Sequence, residues 1–227
     1  MKLNFFILLL FASFFALAQT KPLKPQKLVV VNSYNQYLAS IKLNPNNELV
    51  EIKKAIPNIK LDIRYATKNN FMQQVMYKQA RAFARKPVVE SLKKVQLALN
   101  KKGLGLKIFD GYRPYTITVA FYKQASDKSF VANPAKGSKH NRGCAIDLTV
   151  INLKTGKELE MATPYDSFSK AAAANYEPVS DVVRKNREYL ISIMKKNKLN
   201  VLENEWWHYD FQGWQNYDLM DIPFEKL

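Results

Sequence analysis

The sequence predicts an α+β fold in which helices flank a small antiparallel sheet. Three observations carry that prediction. Two windows place apolar residues at helical three-and-four spacing or between clear helix caps, and several short alternating or apolar runs are stopped by glycine and proline. The helical and extended runs do not alternate regularly enough to build a parallel βαβ sheet.

Residues 1–18 read as a signal peptide. Lys2 precedes an apolar run from Phe5 to Leu17, broken only by Ser13, that ends in the small-x-small site Ala16-Leu17-Ala18. The run falls short of the ~20 apolar residues that a spanning helix needs, and no basic stop-transfer cluster follows. The expected product is exported, periplasmic or secreted, with no stable membrane insertion after cleavage. Residues 19–47 are polar and punctuated by Pro22, Pro25 and Pro45, which predicts an N-terminal arm or extension with Leu28 to Val31 as an edge strand. The remaining 48–227 are expected to form one domain.

Within that domain, Ile59 to Tyr65 alternates as a half-buried strand, with Ile59, Leu61 and Ile63 on one face. Residues 88–102 carry Val88, Leu92, Val95 and Leu99 at helical spacing, and Gly103 stands where a helix C-terminus favours glycine. A strand from Leu104 to Phe109 then meets the turn Asp110-Gly111-Tyr112-Arg113-Pro114. A helix is expected from Thr116 to about Gln124, a loop at 133–137, a buried strand at 144–151 and a turn at 154–156. Ser180 caps a last helix over 181–196, and 201–202 and 206–211 form late strands.

The formal charge of +16 is spread over scattered lysine pairs without aromatic interleaving, so nucleic acid is not an expected partner. A solvated basic surface suited to an anionic envelope accounts for it. The single cysteine, Cys144, excludes an internal disulfide framework and reads as a small buried residue.

Only two histidines occur, and each lies among acidic residues: His140 seven residues before Asp147, and His208 three residues after Glu205. A catalytic zinc takes three protein ligands from His, Asp or Glu and leaves a fourth position to water, which it acidifies. His140, Asp147 and His208 make that set, for one Zn2+ per chain. Asp147 interrupts an apolar strand, where a carboxylate is costly unless paired or bound to a cation, although one on an open sheet face can meet solvent. Glu205 is the candidate general base, provided that a bend or bulge brings it to the side of His208. A structural salt bridge to one of the many lysines is its other reading. Arg113, on a turn at a strand end, is the candidate for stabilising an oxyanion, against the plainer reading of a surface arginine.

The stretch Ser138-x-His140-x-x-Gly143-x-Ala145-Ile146-Asp147, with Glu205-x-Trp207-His208, closely resembles the zinc D-alanyl-D-alanine peptidases. Asp110-Gly111-Tyr112-Arg113-Pro114 and Glu205-Trp206-Trp207-His208-Tyr209 look like their VanX-like dipeptidase branch, as do Leu61 to Thr67 with Asn70-Phe71, and Met161 to Asp166. The chain departs from that branch at Ala162, at Cys144 and in a shortened segment from Phe71 to Tyr77. The resemblance implies hydrolysis of the D-Ala-D-Ala dipeptide to two D-alanines by metal-bound water that Glu205 activates. It also implies that Asp166 receives the substrate's amino group, while Ser138 and Tyr77 meet its carboxylate. Two alternatives stay open: a zinc carboxypeptidase or endopeptidase trimming peptidoglycan stems, and a non-catalytic module that binds cell-wall peptides.

Overall fold

A computed structural model describes residues 28–227; the expected signal peptide at 1–18 and the first part of the arm lie outside the described residues. The elements run β1 (Val30–Val31), α1 (Tyr34–Leu43), β2 (Leu49–Glu51), α2 (Ile52–Ala55), β3 (Lys60–Leu61), β4 (Phe83–Arg85) and α3 (Lys86–Asn100) in the first half. The second half adds β5 (Leu104–Asp110), α4 (Tyr115–Gln124), β6 (Ala145–Asn152), α5 (Asp181–Lys196), β7 (Leu199–Leu202), β8 (Glu205–Phe211) and β9 (Leu219–Met220). A five-stranded sheet in the order β3-β5-β6-β8-β7 is antiparallel throughout except for its edge pair, where β3 runs parallel to β5. Two small ladders, β2 with β4 and β1 with β9, stand apart from it. The α+β expectation is met, with one parallel edge strand added.

The helices follow their patterns. α3 buries Val88, Leu92, Val95 and Leu99, and the chain leaves its end at Gly103 with φ of 70°, a left-handed conformation that glycine adopts without strain. At α5, the Ser180 hydroxyl accepts the Val183 N–H at 3.2 Å, satisfying one of the free donors of the first turn. One face of the sheet, with Leu106, Ile108, Ile146, Leu148, Val150 and Tyr209, packs into the main apolar core beside Leu92, Val95, Leu190 and Met194.

Two segments differ from the sequence expectation. The arm contains a helix, α1, that its polar composition does not announce. Tyr37 is buried in the main core and its hydroxyl accepts the Leu49 N–H at 2.8 Å, so tertiary packing stabilises a helix with a weak apolar stripe. The strand expected from Ile59 to Tyr65 pairs only over Lys60–Leu61, then turns into a 3-10 segment at Arg64–Ala66. The alternation survives, since Ile59 and Ile63 are buried and Lys60 is exposed.

Candidate active site

Three neighbouring strands put Asp110, Asp147 and His208 in one row, because Asp110 pairs with Asp147 and Asp147 with His208. Two irregularities make the row. On β5 the register shifts between Ile108 and Asp110, so that Phe109 is an extra residue and Asp110 turns to the face of Asp147. On β8 the pairing to β7 jumps from Glu205 opposite Leu202 to Tyr209 opposite Val201. A regular strand would put Glu205 and His208 on opposite faces; this bulge brings Glu205 Oε2 to 3.8 Å from His208 Nδ1. The bend that the general-base reading requires is present.

His140 comes from a 3-10 turn, His140–Arg142, closed by Gly143 at φ of 67°. A Cβ at Gly143 would stand 2.6 Å from Leu49 Cδ2, so both the turn and the packing need glycine there. Gly111 is held as closely, and against backbone: a Cβ would lie 2.6 Å from the Phe83 carbonyl oxygen, and the Gly111 carbonyl accepts the His140 Nδ1 hydrogen at 2.7 Å. That bond fixes the tautomer of His140 and leaves Nε2 as a lone pair. His208 is fixed in the same way from the other side, its Nε2 donating to Asp210 Oδ1 at 3.0 Å and leaving Nδ1 free. Asp210 in turn takes Lys139 Nζ at 2.5 Å.

The two free imidazole nitrogens lie 3.1 Å apart, and Asp147 Oδ1 is 3.4 Å from His140 Nε2 and 3.0 Å from His208 Nδ1. Ligands at ~2.0–2.1 Å on the vertices of a tetrahedron stand about 3.3–3.4 Å apart, so this triangle has the size of a zinc face. Asp147 Oδ2 accepts the Tyr165 hydroxyl at 3.0 Å, whereas Oδ1 is buried without a hydrogen bond. An orphaned buried carboxylate oxygen facing two lone pairs calls for a cation. The titration tendencies agree. Burial raises the Asp147 pKa, but His140 and His208 outweigh it and hold the carboxyl well below the usual range. Burial lowers that of His208, yet the carboxylates of Asp147 and Asp210 beside it lift it to about 10, a mark of the negative charge gathered at the site.

Around this trio lies a cavity of about 310 Å³ that Ser138, Arg113, Asp166 and Glu205 line together with the three candidate ligands. Its other wall is aromatic, with Tyr65, Phe71, Phe121, Phe130 and Phe168. Burial, reinforced by the charges of Asp147 and Asp166 against the opposing pull of His208, raises the Glu205 pKa to about 7. Asp166 is also raised to about 7, chiefly by burial, although the Tyr65 hydroxyl donates to it at 2.9 Å. Arg113 is buried rather than a surface arginine. Its Nε and Nη2 both reach Asp110 Oδ2, at 3.0 and 2.7 Å, and Nη1 meets no protein acceptor among the described residues.

Ser138 reaches the cavity and its Oγ accepts the His140 N–H at 3.2 Å. Tyr77, expected at a substrate carboxylate, does not line this cavity. Its hydroxyl donates instead to Asp110 Oδ1 at 2.9 Å, and so supports the carboxylate that aims Arg113. Cys144 is buried in the apolar core, its thiol pushed up to about 12 by burial, and it stands outside the ligand trio.

Sequence reasoning missed the supporting residues Asp110, Asp210, Tyr65 and Tyr165. Two of them were detectable in outline: Asp210 follows His208 by the two-residue period of one strand face, and Asp110 stands three residues before Arg113 on the same turn. Tyr65 and Tyr165 carry no local signal, because their partners Asp166 and Asp147 are distant in sequence.

Comparison with known proteins places the chain in context. Residues 45–224 match the peptidase M15 family model described as D-Ala-D-Ala dipeptidase. The D-alanyl-D-alanine dipeptidase of Escherichia coli K12 is 29% identical over 182 residues, 80% of this chain and 94% of its own. That of Enterococcus faecalis V583 is 26% identical over 201 residues, covering 78% of this chain and 94% of its own. A solved LD-carboxypeptidase is similar over 59% of this chain and 61% of its own at 19% identity and a TM-score of 0.39.

Proposed function

The chain belongs to the D-Ala-D-Ala dipeptidase family of M15 metallopeptidases, and on that premise we propose that it is a zinc enzyme hydrolysing the D-Ala-D-Ala dipeptide to two D-alanines. The observation that carries the metal is the orphaned Asp147 Oδ1 facing two imidazole lone pairs whose tautomers are fixed from behind. His140, Asp147 and His208 are the ligands. Zinc held there supplies a Lewis acid that acidifies water and polarises a carbonyl.

The protein's own groups do the rest. Glu205, brought beside His208 by the bulge on β8, takes the proton of the attacking water and returns it to the departing amine. Arg113 is pre-aimed by Asp110, which is itself held by Tyr77 and the Gly111 N–H, and it stabilises the oxyanion without reorganising during the reaction. Asp166 receives the substrate ammonium, and Ser138 meets the carboxylate end. A small cavity with one acidic terminus measures its substrate, since a peptide extended at its amino end leaves Asp166 unpaired. The catalytic unit is read as 48–227, with 19–47 as its arm and 1–18 removed on export to the periplasm or beyond. No helix among the described residues is long and apolar enough to cross a membrane.

The test is D-alanine release from free D-Ala-D-Ala by the purified protein, before and after chelation and restoration with zinc. Zinc-restored release supports the reading. Release from tripeptides or pentapeptides in preference to the dipeptide would replace it with a stem-trimming carboxypeptidase or endopeptidase, and zinc binding without any hydrolysis would leave only a binding module.

A further inference from the structure

On another part of the surface, the first turns of α3 and the C-terminal end of α5 enclose a second cavity, of about 270 Å³, that shares no lining residue with the active site. Four lysines line it: Lys86 and Lys94 from α3, Lys196 from the last turn of α5, and Lys198 just beyond. All four are exposed, and none makes a salt bridge among the described residues. One acidic side chain, Glu90, lines the cavity, and it is already engaged by Lys93 at 3.0 Å. A concave surface on which four cationic side chains face one engaged carboxylate concentrates anions more than scattered surface lysines do.

A second observation is independent of charge. Ser91, on α3, is 8% exposed and lines this cavity, and its hydroxyl takes no hydrogen bond among the described residues. A hydroxyl without a protein partner in the wall of a cavity has a donor to give. Asn197 adds an amide whose nitrogen is spent on the Ile193 carbonyl.

We propose that this cavity is a binding site for a phosphate-class oxyanion carrying at least two negative charges, held by Lys86, Lys94, Lys196 and Lys198, with the Ser91 hydroxyl as a directed donor. Each lysine offers a mobile point charge with three donors, which suits the tetrahedral face of a phosphate, and the serine supplies the direction that lysines lack. The site is independent of the peptidase chemistry and would anchor the protein to a phosphorylated ligand without touching the zinc centre.

The experiment is calorimetric titration of the full chain with inorganic pyrophosphate at low ionic strength, where exposed charges are least screened. Binding is expected at one pyrophosphate per chain. Lys94→Glu with Lys196→Glu should weaken it at least about tenfold, as the loss of two charge-assisted contacts predicts, and Ser91→Ala should weaken it measurably with its lysines intact. Lys154→Glu with Lys157→Glu, a pair outside the cavity with the same change in net charge, should leave it nearly unchanged. The milder Lys94→Gln with Lys196→Gln repeats the test should charge reversal unsettle the fold. Absence of pyrophosphate binding, or equal weakening by the inside and outside pairs, would overturn the proposal. A second arm separates sources: sedimentation with phosphatidylglycerol vesicles that pyrophosphate reverses identifies a lipid headgroup, and pyrophosphate binding without sedimentation identifies a free phosphorylated ligand.

Discussion

On one face of the central sheet, Ile108, Ile146, Leu148 and Tyr209 pack into the main core. On the other face of the same strands, Asp110, Asp147 and His208 stand in a row under the active-site cavity. The first face stabilises the fold, each fully buried large aliphatic side chain contributing about 1.5–3 kcal/mol. The second costs stability, because it buries carboxylates and imidazoles whose charges need partners. Regular alternation gives the strands these two faces and places Asp147 and His208 on the polar one; interruptions of it add the remaining polar groups. The bulge on β5 turns Asp110 to the polar face, and the bulge on β8 brings Glu205 beside His208.

The contrast can be broken or sharpened by substitution on either face. The largest effect is expected from Glu205→Ala on the polar face: kcat falls about 10²–10⁴-fold, the range for removing a general acid-base group. Zinc content and unfolding temperature stay close to wild type, and a variant with undiminished turnover would remove Glu205 from the mechanism. Leu148→Ala, on the apolar face, should do the reverse. Leu148 is fully buried, so denaturant unfolding should show a loss of about 2–5 kcal/mol, while turnover per folded molecule is retained. Collapse of activity before unfolding would mean that the two faces are not separable.

Arg113→Lys keeps the charge but loses the two-pronged grip on Asp110, and steady-state kinetics should show a fall in kcat approaching the about 10²–10³-fold cost of an oxyanion donor. The smallest effect is a pH dependence. Asp166 is raised to about 7, so it is neutral below that pH and cannot pair with an ammonium. The KM for the dipeptide should therefore fall as pH rises through that region, by at most about tenfold per pH unit, the limit set by the fraction ionised. Asp166→Asn should show a high KM with that limb absent; a limb that persists would assign the titration to another group.

Much of the frame was legible because it is local. Helix α3 is written in the spacing of Val88, Leu92, Val95 and Leu99 and in Gly103; α5 begins at a serine that caps it. The candidate ligands were legible for a different reason: two histidines in the whole chain, each close to an acidic residue, leave little choice once a metal is considered. The helix α1 was not legible, because its support comes from Tyr37 reaching across to Leu49 and the core. The place of Tyr77 was not legible either, since its hydroxyl finds Asp110 thirty-three residues away.

What the sequence by itself determined is therefore the fold class, the main helices and strands, and the candidate residues for holding a metal and moving a proton. Hydrophobic period, caps and rare residue types act over a few positions and can be read there. Only the tertiary structure decided which lone pairs converge, which tautomer each histidine holds, that Asp147 Oδ1 is left without a hydrogen bond, and that Glu205 turns toward His208. Those outcomes depend on strand register and bulges, and a shift of one residue in register moves a side chain to the opposite face of the sheet.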